Sequence, residues 1–321
     1  MESSMIQSLA SRVKENIARV IVGKEQEVTL LLTSVICRGH VLMEDVPGTG
    51  KTVLAKSLAK SVDCAFSRIQ FTPDLLPGDV TGLSVFDARQ AEFVFKPGPV
   101  FTNILLADEI NRATPRTQSA LLECMEERQV TADGVTRKLD EPFLVIATQN
   151  PIETQGTFPL PEAQLDRFLM KLKLGHLSHE DAVRVLDRFI EDDPLSELSP
   201  VCTAADIVRA QNEYRKCEVS PAVRGYIASL CEATRNAANV VLGVSPRGML
   251  ALMRACQAYA LIQGRDFVTP DDVKALAIPV LAHRVAVRGV YGQTDASEAA
   301  VREALESAEV PTETVKRERD E

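Results

Sequence analysis

The chain lacks paired cysteines, a basic excess and any long hydrophobic run. Its seven cysteines, Cys37, Cys64, Cys124, Cys202, Cys217, Cys231 and Cys256, include no C-x-x-C pair. Neither a zinc site nor a thioredoxin-type motif is therefore signalled. An odd number of scattered thiols suits a reducing compartment, with most of them acting as small core residues. His176 and His179 stand three apart. With no cysteine or carboxylate ligand pattern around them, they read as loop residues rather than metal ligands.

The net charge is −9. A general nucleic-acid binder is more often basic, which weighs against that class while leaving room for a local basic patch. The longest apolar run, "VTLLLTSVIC", is too short to span a bilayer. The opening "MESSMIQSLASRVKENIARV" has no basic segment followed by an apolar block, unlike a secretory signal. The expectation is a cytoplasmic protein without membrane insertion.

Against these absences stand 321 residues, of which 45% are hydrophobic. That is enough for a packed core, and the length suggests two or three domains. "HVLMEDV", "CAFSRIQF", "NILLADEI", "PFLVIATQN" and "LMKLKL" are short and mostly apolar. Such runs mark strands covered on both faces, as in a parallel sheet flanked by helices. One helix is expected to open at Gly50-Lys51-Thr52, and another after Thr114-Pro115. "GLSVFDARQAEFVF" places Leu83, Val85, Phe93 and Phe95 at alternating positions around a polar turn. Asp133-Gly134 in "RQVTADGVTRKL" is a two-residue hairpin signal. Read from the residues alone, both pieces are edge decoration of the sheet.

After about residue 176 strand signals vanish. Ser178 with Asp181, Thr203 with Asp206, and Thr269 with Asp272 have capping-box spacing, with Asp in place of Glu or Gln. Ser220-Pro221, Ser245-Pro246 and Thr269-Pro270 place proline in first helical turns. Residues 191–200 read as an inter-helix loop. The expected division is an α/β domain over 1–176 with inserts at about 82–98 and 128–140, an all-helical domain over 177–305, and a polar tail over 306–321.

"VLMEDVPGTGKT" carries the first chemical signal. A Gly-x-Gly-Lys-Thr turn between strand and helix lets backbone N–H groups and a helix N-terminus meet phosphate oxygens. Gly48 and Gly50 permit the curl, Lys51 reaches the β- and γ-phosphates, and Thr52 offers a hydroxyl to Mg²⁺. The phosphate-loop pattern asks for another Gly at 45, where the chain has Asp45. Because Asp45 precedes the curl, it weakens the pattern more than the chemistry. "NILLADEI" then ends an apolar strand in Asp108-Glu109. Asp108 is placed to hold Mg²⁺ through its water shell, and Glu109 to polarise an attacking water. Asn150 closes the strand of "FLVIATQNP", where a neutral amide can touch both γ-phosphate and water. Any one of these pieces is a common turn or strand end; the set is not.

Together "VPGTGKT", "ILLADEINRATPRTQSALLECMEERQVT", "FLVIATQNPIETQGTFPLPEAQLDRF" and "SPRG" resemble the MoxR family of AAA+ ATPases, over about Ile21 to His283. Asp at 45 is usual in that family. The resemblance implies an α/β P-loop core with a parallel five-stranded sheet, followed by an all-helical lid. It places the Asn150 strand between the strands of Lys51 and Asp108. It implies nucleotide binding by Val22, Gly23, Pro47, Gly48, Thr49, Gly50, Lys51, Thr52 and Val53, with ATP and Mg²⁺ as cofactors and Thr52 and Asp108 as the metal-facing groups. Glu109, Asn150, Lys51, Arg167 as arginine finger and Arg247 as second sensor form the implied catalytic set. Arg112 and Arg116 are candidates for action across a subunit boundary, and Gln70 for restraining Glu109. The two hairpins correspond to client-moving inserts of the clade. The implied partners are copies of the chain in a homohexamer and a protein with a von Willebrand factor A domain, which the ATPase would assemble, activate or load with metal. A nucleic-acid motor, a magnesium-chelatase-like subunit and a nucleotide-gated scaffold are the alternatives. The acidic balance disfavours the first, the unbroken central block the second, and the filled catalytic positions the third.

Overall fold

The structure, a computed structural model, describes residues 5–46, 48–89, 91–150, 156–190, 193–237, 239–288 and 294–311. It opens with two helices, α1 (Met5–Ala18) and α2 (Glu25–Ile36), then alternates: β1 (Val41–Glu44), α3 (Lys51–Ser61) and β2 (Phe66–Gln70). The single turn α4 (Pro77–Thr81) leads into a hairpin of β3 (Gly82–Asp87) and β4 (Glu92–Pro97). There follow β5 (Ile104–Asp108), α5 (Pro115–Glu127), a second hairpin of β6 (Gln129–Ala132) and β7 (Val135–Lys138), β8 (Leu144–Gln149), α6 (Glu162–Leu165) and β9 (Met170–Leu172). Three helices come next: α7 (His179–Arg188), α8 (Pro194–Glu197) and α9 (Ala204–Glu213).

All five expected strand segments join one sheet in the order β2-β5-β8-β1-β9, with every neighbouring pair parallel. β5 is buried along its whole length and β8 nearly so, which is why their sequences are continuous apolar runs. The edge strand β2 is different. Only Ile69 of it is buried, and Arg68 and Gln70 are exposed. Ile69, Ala107, Ala147 and Leu42 form one row across four strands. That row packs into a core with Leu121, Leu122 and Met125 of α5. The next residue in each strand, Gln70, Asp108, Thr148 or Met43, faces the other way by the period of the pleat. This alternation delivers polar side chains to one place at the ends of otherwise apolar strands.

Both hairpins form, each a separate two-stranded sheet. Asp133 and Gly134 at the second turn both have positive φ (53° and 74°), as a type I′ turn requires. The first hairpin does not bury its apolar residues: Leu83, Phe86 and Phe93 are exposed. Its strands pair only with each other, while Phe95 is half-buried against the Phe101 ring. The hairpins touch one another. The Ser84 hydroxyl donates to Asp133, and the Arg137 guanidinium lies 3.9 Å over the Phe95 ring.

The chain divides into two compact units, Met1–Tyr214 and Arg215–Glu321. Helices α7, α8 and α9 lie within the first unit. Gln211 Nε2 donates to the Val35 carbonyl at 2.8 Å, Asn16 Nδ2 to the Ser199 carbonyl at 3.0 Å, and α9 lies against α1 and α2. Residues 191–200, expected as loop, contain the single turn α8, capped by Asp193 Oδ1 accepting from the Leu195 N–H. Ser178 and Thr203 cap α7 and α9 by accepting from the N–H of Asp181 and Asp206. Thr114 stands at the N-cap of α5, but its hydroxyl meets the Thr117 hydroxyl instead of a backbone N–H.

The second unit consists of α10 (Pro221–Asn236), β10 (Val240–Leu242), α11 (Pro246–Ile262), α12 (Pro270–Leu281), β11 (Ala286–Val287) and α13 (Thr294–Ser307). It is helical as expected, except for the antiparallel β10–β11 ribbon. Strands of two and three residues are too short to show a period in sequence. Ser220 and Ser245 cap α10 and α11. Thr269 and Asp272 form a complete capping box on α12, and Arg265 grips both Asp272 oxygens at 2.6 Å.

Candidate functional site

The loop after β1 is organised by the residue that breaks the pattern. Asp45 is 8% exposed. Its Oδ1 accepts from the Val46 N–H at 2.9 Å, and its Oδ2 from the N–H groups of Leu174 and Gly175, both at 2.8 Å. The carboxylate ties the end of β1 to the chain leaving β9. Gly48 and Gly50 follow at φ 84° and 90°, a region only glycine adopts freely. A Cβ at either would meet nothing within 4 Å, so the space over the curl is open. Pro47 lies outside the described residues. The Thr49 hydroxyl donates back to the Val46 carbonyl at 3.3 Å. Lys51, Thr52 and Val53 occupy the first turn of α3, with Gly50 at its N-cap.

Lys51 Nζ donates to the Asp45 carbonyl at 2.8 Å. Burial pushes its pKa below the usual lysine value, and the charges of Asp45, Asp108 and Glu109 oppose that shift. The charge of the ammonium is thus coupled to those of the acidic pair.

Asp108 ends β5 with 7% of its surface exposed. Its Oδ1 accepts from the Thr148 hydroxyl at 3.1 Å and its Oδ2 from Arg68 Nε at 2.6 Å. Glu109 turns into the left-handed region at φ 56°, and its N–H donates to Thr148 Oγ1 at 2.9 Å. This places its carboxylate on Gln70 Nε2 at 2.8 Å and on Arg112 Nε at 2.9 Å. Arg112, weighed as a residue acting on a neighbouring subunit, thus faces Glu109 of its own chain. Arg116 is exposed in the first turn of α5.

Asn150 follows β8, 7% exposed, on the strand between β5 and β1. Val22 is buried. Gly23 has φ 67°, and a Cβ there would come within 2.3 Å of Asp181 Oδ2, so α7 seats directly against this glycine. Arg167 is not part of the acidic cluster. Its Nε pairs with Glu126 Oε2 of α5 at 3.0 Å, in place of the Asp166 or Glu162 partners that sequence proximity suggests. Arg247 belongs to the second unit, exposed in the first turn of α11.

Three contributors escaped the sequence reading. Arg68 sits two residues before Gln70, and that period puts both on one face of β2. Thr148 stands two before Asn150. Asp45 looked like a missing glycine and is an anchor. A charged residue inside a strand segment was the available signal for Arg68. Thr148 and the anchoring of Asp45 depend on which strands become neighbours.

All seven cysteines are free and five of them are buried. Burial pushes the thiols of Cys64 and Cys124 up to about 12 and those of Cys202, Cys217 and Cys231 to about 11, so these are not nucleophiles at neutral pH. Among the described residues there is no group of three or more His, Cys, Asp or Glu side chains that could hold a metal ion. None of the described helices is long and apolar enough to cross a membrane.

A glycine-rich turn at a helix N-terminus, a half-buried lysine coupled to an acidic pair, and a parallel sheet with the asparagine strand between them define a P-loop nucleotide-hydrolase core. Known proteins agree. Residues 40–170 match the family "ATPase family associated with various cellular activities (AAA)", and residues 232–306 match the AAA lid domain. Chaperone MoxR1 of Mycobacterium tuberculosis is 42% identical over 84% of this chain and 73% of its own. MoxR of Paracoccus denitrificans is 36% identical over 85% and 87%. YeaC of Bacillus subtilis, an uncharacterized protein, is 49% identical over 94% and 95%. The crystal structure of a protein assigned as an ATPase from Cytophaga hutchinsonii superposes with a TM-score of 0.88 at 37% identity, covering 97% of both chains. The chain belongs to the MoxR family of AAA+ ATPases.

Proposed function

We propose that this ATPase is magnesium-dependent, acts in a homohexameric ring in the cytoplasm, and uses turnover to assemble, activate or load metal into a separate protein carrying a von Willebrand factor A domain. The observation that carries the catalytic part is the restrained Glu109, held by Gln70 and Arg112 beside Lys51 and Asp108. A base held by its own chain suits an enzyme whose turnover waits for a signal. The chaperone part rests on the relative named Chaperone MoxR1; the partner class rests on the family resemblance alone.

The residues fit a magnesium–nucleotide complex. Thr52 offers a hydroxyl in the first turn of α3, Asp108 is a buried carboxylate at a strand end, and the space above Gly48 and Gly50 is open. Bound there, magnesium would neutralise phosphate charge. The N–H groups of residues 48 to 53 cradle the phosphates, and Lys51 holds the β- and γ-oxygens. Val22 and Gly23 supply backbone contacts to adenine. Glu109, released from Gln70, takes a proton from the attacking water, and Asn150 orients that water without adding charge. Arg167 stabilises developing charge in a neighbouring subunit, and Arg247 senses nucleotide state.

The test is a trap. Glu109→Gln should bind ATP, fail to hydrolyse it and retain a client from native lysate that Lys51→Ala does not retain. Selective recovery of a von Willebrand-domain protein establishes the chaperone reading. Nuclease-sensitive DNA recovery would replace it with a motor, and full ATP turnover by Glu109→Gln would remove Glu109 as the base.

A further inference from the structure

We propose that Arg68 is the resident counter-ion of Asp108, and that its guanidinium must withdraw when magnesium and nucleotide load. This rests on the reading of Asp108 as the metal-facing carboxylate.

Asp108 has almost no contact with water, and both of its oxygens are engaged, Oδ1 by Thr148 and Oδ2 by Arg68. A buried carboxylate without a compensating partner is strongly unfavourable. In the nucleotide-free chain Arg68 meets that need. A hydrated divalent cation approaching Asp108 meets a guanidinium at Oδ2, and the charge of Lys51 acts on the same carboxylate.

The two donors on Asp108 are not equally free to leave. Thr148 also accepts from the Glu109 N–H, so it is fixed from both sides. The Arg68 side chain is 50% exposed, against 10% for Asp108. Its charge can return to water on a flexible stem; that of Asp108 cannot. Arg68 is the movable partner.

Two consequences follow. Bare magnesium is disfavoured, because the carboxylate is already compensated by Arg68 and a hydrated ion alone brings no phosphate charge to offset displacing the guanidinium. Loading is also reported to β2, whose Arg68 and Gln70 restrain Asp108 and Glu109 respectively. One edge strand thus carries the restraints on both acidic groups.

Linkage fixes the sign of the test. If the loaded metal weakens the Arg68–Asp108 pair, the pair weakens metal loading by the same factor. Calorimetric titration of the full chain with ADP, with and without Mg²⁺, reads this directly. Arg68→Gln should bind Mg·ADP roughly fivefold or more tighter than the parent, with metal-free ADP affinity unchanged. It should melt lower than the parent without ligand and gain more on adding Mg·ADP. Arg68→Lys, which keeps the charge without the Nε donor, should fall between. Unchanged or weaker Mg·ADP binding by Arg68→Gln, with metal-free affinity intact, overturns the exchange. Asp108→Asn separates this from the underlying reading by losing the gain that Mg²⁺ gives the parent. If that gain survives in Asp108→Asn, the metal role of Asp108 and the exchange both fall.

Discussion

Gln70 donates its side-chain amide to the Glu109 carboxylate across 2.8 Å, from an edge strand to the end of the strand beside it. The bond falls on Oε2, the oxygen that Arg112 also engages, and it holds the carboxylate toward β2 and lowers its basicity toward water. Gln70→Ala should therefore raise phosphate release in the absence of client. A hydrogen bond to a charged group at a partly exposed site contributes on the order of 1 kcal/mol, or about fivefold in rate. The client-dependent increment should shrink by the same factor. A fall in the basal rate would instead make Gln70 part of the water-binding geometry.

Arg167 pairs in cis with Glu126, and both side chains are about one-third exposed. Such a pair adds little to stability, about 0 to 1 kcal/mol. Arg167→Ala should melt close to the parent and bind ATP with similar affinity. As a finger completed in trans, its loss should reduce turnover by about 10³-fold or more. Turnover of the parent per subunit should rise with protein concentration as rings form. A concentration-independent rate, or normal hydrolysis by the variant, would mean that each protomer is self-sufficient.

Asp45→Gly would bring the loop closer to the usual phosphate-loop pattern and should make the protein worse. Three backbone N–H groups, two of them beyond β9, lose their acceptor, and the added glycine frees the unfolded chain. The expected loss is about 2 to 4 kcal/mol in urea unfolding. Asp45→Asn keeps one acceptor oxygen and should lose less. Equal stability of Asp45→Gly and the parent would show that water replaces the carboxylate without cost.

The parallel sheet and the phosphate loop were legible because each is written locally. A strand buried on both faces is a continuous apolar run, and a phosphate curl needs glycines beside a lysine. The Asp108-Glu109 pair was legible because charge at the end of such a run is unusual. The restraints were only partly legible. Gln70 was singled out, but Arg68 acts on Asp108 only because β2 pairs with β5, and Arg167 meets Glu126 through the folding of α5. Which core the helices just after residue 176 cover was not legible, for a related reason. Capping signals show where helices begin, not which core they cover, and the buried amide of Gln211 reaching Val35 lies far from any local pattern.

His40 supplies a pH test of the core beneath the site. It precedes β1, fully buried, with Nε2 at 3.0 Å from the Met125 carbonyl and Nδ1 at 2.9 Å from the Val145 N–H. A backbone N–H can only donate, so Nδ1 accepts and the proton resides on Nε2, which donates to Met125. Burial lowers its pKa from 6.5 to about 4, aided by the nearby Arg128 charge and opposed by the Met125 bond. A folded pKa below the unfolded value means that the unfolded chain binds the extra proton first. Stability is then unaffected above pH 6.5, falls as pH drops toward 4, and levels off below, with a total loss of about 3 kcal/mol. Urea unfolding at pH 7.5, 5.5 and 4.5 reads this window. His40→Gln, which retains a donor and an acceptor but does not titrate, should be less stable at pH 7.5 and lose about one proton of pH dependence across the window. An undiminished slope in that variant would place the acid sensitivity in the carboxylates instead.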